Sequence, residues 1–294
     1  MAMKGMRLFL IFLLLNVAAY GSPGAGFFLP DSTVEVSINY RSVQHLIILP
    51  VVINDSIKVN LILDTGCRNI VLFGKKFHKL FKTHPSRQVQ FSGMGKGASV
   101  YGKLSVNNTV SIASVRGTQM PVVVVSERNL FHSFENVHGI IGYDIFSRFE
   151  IELKPDQKQI TFRLASATLP DYYAKIPMRV EDSKPVFESE VLLVDGHQKK
   201  KWNMIIDTGS VLGVLLKTSQ PDLISTASSK VTSVGRGLNG IMEGYQLQSE
   251  QVTLAGLMIE NVPTSIILSP PHECGSIGMG LLKDYHVIIN YVKS

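Results

Sequence analysis

Two aspartates in this chain are each preceded by an apolar run and followed by Thr-Gly. The segments are Leu61-Ile62-Leu63-Asp64-Thr65-Gly66-Cys67 and Met204-Ile205-Ile206-Asp207-Thr208-Gly209-Ser210. A single acid-hydroxyl-glycine string is ordinary turn composition. Two of them, 143 residues apart in a chain of 294, suggest two similar halves, each ending a buried strand in a carboxylate. Two carboxyl groups held close together cannot both ionise readily, so they share one proton. The ionised member can then accept a proton from water while the protonated member polarises a carbonyl. That combination adds water to an amide. Asp64 and Asp207 are therefore the candidate catalytic pair. Thr65, Gly66, Thr208, Gly209 and Ser210 are the candidate supports, the glycines because a sharp turn there brings backbone N–H groups toward the carboxylates.

Other chemistries lack their residues. The two cysteines, Cys67 and Cys274, form no Cys-x-x-Cys, and the eight histidines form no His-Glu-x-x-His, so no metal site is expected. Gly235-Arg236-Gly237-Leu238-Asn239-Gly240 fits the spacing of a dinucleotide-binding loop. That loop must open a helix, however, and Ile241 to Leu247, with Gly244 inside, has no helical periodicity. No cofactor is expected. The formal net charge is +6, or +4 without Lys4 and Arg7, and the basic residues are scattered. The run Lys199-Lys200-Lys201 beside Asp195-Gly196 reads as a solvated hairpin arm, and no nucleic-acid partner is expected.

The elements that must position the carboxylates recur in order. Before Asp64 come Val51-Val52-Ile53, a turn at Asn54-Asp55, and Val59 to Leu63. Before Asp207 come Val191 to Val194, a turn at Asp195-Gly196, and Trp202 to Ile206. Both read as hairpins. Next is a glycine-rich stretch. It is Ser92-Gly93-Met94-Gly95-Lys96-Gly97 in the first half and Val234 to Gly240 in the second, with the first glycine 29 and 28 residues after the aspartate. Such stretches suit mobile hairpin tips. Third is an apolar-apolar-Gly segment, Ile140-Ile141-Gly142 and Ser276-Ile277-Gly278, followed by alternating runs over Phe149–Leu153 and Tyr285–Ile289. Short helices are expected over Phe77–Lys82 and Asp144–Arg148, a bridge between halves over Leu164–Lys175, and a docking strand within Phe27–Asn39.

This arrangement resembles the aspartic peptidases. Each half is similar to a retropepsin protomer, and the pair in one chain resembles the bilobal pepsin plan. The resemblance covers roughly residues 40 to 292. It implies an all-β fold of two similar pepsin- or retropepsin-like barrel lobes, related by internal duplication, with the active site between them. It also implies flaps at Gly93, Met94 and Gly95 and at Gly235, Arg236 and Gly237 that close over an extended peptide or protein substrate. Thr65 and Thr208 would cross-link the two catalytic loops. One departure is Cys67, where the family usually has Ser, Thr or Ala. Ser210 fits, and its hydroxyl could support Asp207 in a way the weaker Cys67 donor could not support Asp64. The resemblance also leaves open a non-catalytic peptide-binding module on the same fold, and a disulfide between Cys67 and Cys274.

The N-terminus reads as an export leader. Lys4 and Arg7 precede the apolar run Leu8–Leu15 and the small residues Ala18, Ala19 and Gly21. The run is shorter than the ~20 residues of a membrane span. The expected organisation is a signal peptide over 1–21, an N-terminal segment over 22–39, a first lobe over 40–165, a linker over 166–175 and a second lobe over 176–294. The mature protein would be exported, periplasmic or secreted, without stable membrane insertion, and monomeric because one chain carries both halves of the site.

Overall fold

The computed structural model describes residues 24–83, 87–91, 95, 97–126, 134–165, 172–194, 199–224, 230–269 and 273–293. The leader expected over 1–21, the tip residues Gly93 and Met94, the turn Asp195-Gly196 and half of the bridge (166–171) lie outside the described residues. Among the described residues no helix is long and apolar enough to cross a membrane.

The chain is almost entirely β. The first part contains β1 (Gly26–Phe28), β2 (Glu35–Asn39), β3 (Arg41–Val43), β4 (Leu46–Ile53), β5 (Ile57–Leu63), β6 (Ile70–Phe73), β7 (Gln88–Phe91), β8 (Val100–Ile112), β9 (Val115–Val125), β10 (Gly139–Ile141), helix α1 (Tyr143–Phe146), β11 (Glu150–Lys154) and β12 (Gln159–Arg163). The second contains β13 (Arg179–Glu181), β14 (Lys184–Leu193), β15 (Lys200–Asp207), β16 (Val214–Thr218), β17 (Thr232–Gly237), β18 (Gly240–Leu254), β19 (Leu257–Leu268), β20 (Cys274–Gly278), helix α2 (Met279–Leu282) and β21 (Val287–Asn290). The helix expected at Phe77–Lys82 is a 3-10 turn over Lys75–Lys79. The one expected at Asp144–Arg148 starts a residue earlier, as α1.

Each lobe closes its strands into a ring, and the two rings run through the same pairings. In the first, β4 pairs β5 antiparallel, β5 pairs β10 parallel, β10 pairs β6 antiparallel, β6 pairs β9 parallel, β9 pairs β8 antiparallel, and β8 returns to β4. In the second, β14, β15, β20, β16, β19 and β18 repeat these pairings with the same polarities, and β18 returns to β14. Closure leaves no exposed edge within either ring. The interiors hold the fully buried Ile47, Leu49, Leu61, Val123 and Ile141 in one lobe and Met204, Leu216, Val252 and Ile266 in the other.

The hairpin turn before Asp64 forms where expected. Asn54 and Asp55 carry φ of 51° and 57°, values that Asn and Asp tolerate better than most residues. In the second lobe the strand before the turn is longer than the sequence suggests. Instead of starting at Val191 it runs back to Lys184, because Glu188 and Glu190 face outward from an alternating strand. Pro185, which argues against a strand interior, sits at its second residue.

A separate sheet ties the ends of the chain together. Its strand order is β2-β12-β11-β21, all antiparallel, so the N-terminal segment and the last strand of the protein share one sheet. One face buries Ile151, Leu153, Ile160, Phe162 and Ile289. The other carries Arg163, whose guanidinium reaches Glu35 (2.8 Å), Glu150 (3.1 Å) and Glu152 (3.0 Å). Asn290 donates to Glu150 and Tyr173 donates to Glu152, both at 2.9 Å. Glu150 is fully buried and Glu152 nearly so, which is tolerable because both are paired and hydrogen-bonded.

Candidate active site

Asp64 follows β5 directly, and Asp207 is the last residue of β15. In each lobe the parallel neighbour, β10 or β20, ends in the apolar-apolar-Gly segment, and its backbone holds the loop that carries the aspartate. Asp64 N–H donates to Ile141 O at 2.8 Å and Tyr143 N–H donates to Cys67 O at 2.9 Å. In the other lobe Met279 N–H donates to Ser210 O at 2.8 Å. Both loops turn the same way: Cys67 N–H reaches Asp64 O, and Ser210 N–H reaches Asp207 O, each at 3.1 Å. The glycine of the apolar segment is required by space. A Cβ on Gly142 would lie 2.1 Å from Cys67 O, and one on Gly278 would lie 2.5 Å from Leu212 O.

The two loops meet at the junction of the lobes. Thr65 N–H donates to the Thr208 hydroxyl at 3.1 Å, and Thr208 N–H donates to the Thr65 hydroxyl at 3.0 Å. Each hydroxyl also donates to a carbonyl across the junction, Thr65 to Ile206 O at 2.6 Å and Thr208 to Leu63 O at 2.8 Å. Both threonines are fully buried. Four hydrogen bonds thus fix the separation of the strands that end in the carboxylates. Tyr291, beyond β21, adds a hydrogen bond to Thr65 O at 3.3 Å from below.

This clamp brings the Asp64 and Asp207 side chains into hydrogen-bond contact. Gly66 N–H donates to Asp64 Oδ1 at 2.7 Å, and Gly209 N–H donates to Asp207 Oδ1 at 3.1 Å. A Cβ on Gly209 would lie 2.4 Å from Asp64 Cγ, so only glycine leaves room for both carboxyl groups. Burial pushes both acids upward. For Asp64 the negative field of Asp207 comes next and raises it further, while the Gly66 amide opposes. The two acids are coupled, so one proton is shared between them. Lys184 pulls both downward. The side chains keep a partly open edge, so water can reach them.

Cys67 does not touch the pair through its sulfur. Its thiol donates to Asn69 O at 3.1 Å, and burial followed by the field of Asp64 pushes it well above the ordinary thiol range. Cys67 and Cys274 are both free, with no disulfide between them. The Ser210 hydroxyl accepts from Leu212 N–H at 3.3 Å, so Ser210 supports its loop through this contact and its backbone. Cys67 can fill the matching position because the contacts used there are backbone ones.

The described glycines of the first glycine-rich stretch, Gly95 and Gly97, touch the turn of the second. β7 pairs β8, and β17 pairs β18 through a turn at Leu238-Asn239. Gly97 N–H donates to Asn239 O at 2.6 Å, and Gly95 packs on Asn239 and Gly240 so closely that a Cβ would lie 2.6 Å from their backbone. Gly235, Arg236 and Gly237 lie on the arm of the second hairpin rather than at its tip, Arg236 opposite Ile241. The Gly-x-G-x-x-Gly spacing there belongs to a hairpin, with no helix after it.

Residues 49–145 match a family model described as aspartyl protease. The matched segment runs from β4 to α1 and includes Asp64 and the first flap. Asp207 lies outside it, in the second closed ring. No curated protein matches the chain.

Sequence reasoning missed Lys184 and the Arg163 network. Neither has a local motif. Lys184 is legible only by counting register back along β14, whose start was placed too late.

Proposed function

We propose that the protein is an aspartic endopeptidase in which Asp64 and Asp207 act as one catalytic pair on extended peptide or protein substrates. The observation that carries this reading is the threonine-clamped contact between two carboxyl groups on matching loops from two lobes. The pair titrates as a unit. With one proton shared, the ionised member of the pair accepts a proton from water as the water oxygen bonds to the scissile carbonyl carbon. The protonated member hydrogen-bonds to the carbonyl oxygen as it gains charge. The gem-diol then collapses, the C–N bond breaks, and a proton passes from the pair to the leaving nitrogen. The meeting flaps would shield this sequence from bulk water. An extended substrate would bind by backbone hydrogen bonds, with alternate side chains on the two walls.

The supporting features extend to the whole chain. The repeated pairings fit an internal duplication that makes one chain a pseudo-dimer, so activity needs no second copy. The Lys4–Gly21 pattern fits an exported protein cleaved after Gly21.

The test is cleavage of a diverse peptide library from pH 3 to pH 7 by the wild type, Asp64→Asn and Asp207→Asn, with and without a statine-type transition-state mimic. Cuts lost in both variants and blocked by the mimic are expected. Equal cleavage by either variant would overturn the assignment. Saturable peptide binding without any product would favour a binding module on this fold.

A further inference from the structure

The two walls of the cleft are not equivalent beside the catalytic pair. In the first lobe β4 and β5 pair Ile48 with Ile62. Continued two residues past this last pair, the register sets Leu46 on the side of Asp64. In the second lobe the last pair of β14 and β15 is Val186 with Ile205, and the same continuation sets Lys184 on the side of Asp207, whose carboxyl feels its charge. Residues opposite one another on antiparallel strands have Cα atoms ~4.5–5.5 Å apart and side chains on one face. Leu46 is buried in its lobe's core, 1% exposed. Lys184 is half-buried.

The Lys184 ammonium makes no ion pair and no side-chain hydrogen bond among the described residues. Glu181 lies directly opposite it in the β13–β14 pairing, but the Glu181 carboxylate is engaged by Arg179, and Asp182 is an exposed turn residue at φ 46°. A partly buried ammonium without a partner is costly. The catalytic pair also lies within reach of Lys184, since both of its carboxyl groups feel the Lys184 field, but a pair sharing one proton offers a single charge already held by the Gly66 and Gly209 amides.

We propose that Lys184 is a specificity-determining residue of the cleft, selecting a substrate with an acidic side chain within about two residues of the scissile bond. The inference rests on the peptidase reading of the site. An extended substrate directs alternate side chains to each wall, so one of those near the cut meets the second-lobe wall at Lys184. A carboxylate there supplies the missing counter-charge. An apolar side chain would cover the ammonium without replacing its water, and a basic one would repel it. A charged hydrogen bond of this kind corresponds to about 10- to 100-fold in kcat/KM.

The test uses the full chain with paired peptides that differ only by Glu or Gln at each position flanking the cut, and with statine-type mimics carrying the same pair. A Glu/Gln preference of about tenfold or more at one position is expected in the wild type. It should fall to about one in Lys184→Met, persist in Lys184→Arg and invert toward basic substrates in Lys184→Glu. Cleavage without an acidic preference, or with a preference unchanged in Lys184→Met, would overturn the inference while leaving the peptidase reading intact. If no peptide is cut, the peptidase reading fails, and the mimics still decide on Lys184. Tighter binding of the Glu mimic that is lost in Lys184→Met supports it. Equal binding, or none, overturns it.

Discussion

Thr65 and Thr208 accept each other's backbone amides, at 3.1 and 3.0 Å, and each sends its hydroxyl proton on to a carbonyl of the opposite strand. The exchange is reciprocal, so either side chain alone supports half of the clamp. Replacing Thr208 by Val keeps the shape but removes a donor and an acceptor, orphaning the Thr65 amide and the Leu63 carbonyl. Each orphaned buried group costs roughly 1–3 kcal/mol, so Thr208→Val should lose about 2–4 kcal/mol in urea unfolding. Thr208→Ser, which retains the hydroxyl, should stay close to the wild type. A Val variant as stable as the wild type would show that the clamp does not set the junction.

The catalytic pair should make stability fall as pH rises. Its carboxyl groups are raised above the ordinary carboxylate range, first by burial and then, for Asp64, by Asp207. Above about pH 4 the unfolded acids have lost their protons, while the folded pair retains one. The native state then binds more protons than the unfolded state, so stability declines with a slope of up to about 1.4 kcal/mol per pH unit until the pair itself ionises. Asp64→Asn removes the held proton and should flatten that slope between pH 5 and pH 7. Denaturant titrations at the two values measure it. A variant with the wild-type slope would mean that the pair is not proton-sharing.

The parts of this design that were legible in the sequence are those with a local signature. Asn54-Asp55 marks its turn because both residues sit at positive φ. Gly142 and Gly278 mark their segments because a carbonyl occupies the place of a side chain. Thr65 and Thr208 were reachable through the family resemblance. Three strands of the β2-β12-β11-β21 sheet were visible, as a docking strand near the N-terminus and as the alternating runs over Phe149–Leu153 and Tyr285–Ile289, but their pairing was not, since it joins residues as distant as Glu150 and Asn290. The ion-pair network of Arg163, Glu150 and Glu152 has no local signature for the same reason. Their burial follows from the sheet's outer face being covered, and no spacing along the chain encodes that.

The Arg163 network should make its own contribution, with the opposite pH dependence. Burial pushes the Glu152 carboxyl up, but the hydrogen bonds from Tyr173 and Arg163 and the charge of Lys154 outweigh it, leaving a net downward shift. A carboxyl lowered on folding stabilises above its unfolded value, about 4.3 for Glu, and that stability is lost as pH falls through the folded value. Arg163→Met leaves Glu150 and Glu152 buried without their guanidinium, with only Asn290, Tyr173 and Lys154 still against them. The expected loss at pH 7 is about 3–5 kcal/mol, shrinking toward pH 4 as Glu152 takes up a proton. Unfolding at both pH values checks this, and a deficit that is constant with pH would argue that Arg163 acts by packing alone.

The flap tips offer a test of closure that spares the catalytic pair. Gly97 N–H donates to Asn239 O at 2.6 Å, and a Cβ on Gly97 would lie 2.1 Å from that oxygen. Because the clash is with backbone, no side-chain rotation relieves it, and the two hairpins must separate. Gly97 is exposed and belongs to neither ring, so Gly97→Ala should leave global stability within about 0.5 kcal/mol. Its effect should fall on the closed, substrate-bound state. A separation that forfeits about 1.4 kcal/mol of closure corresponds to tenfold in affinity. We therefore expect Gly97→Ala to raise KM about tenfold, with a matching loss of affinity for a statine-type mimic. Gly24→Ala, where the nearest atom to the new Cβ is Phe28 Cζ at 3.9 Å, serves as the control for a glycine replaced away from the site. If Gly97→Ala binds the mimic as tightly as the wild type, the contact between the tips does not belong to the closed complex, and the flaps must meet the substrate in another arrangement.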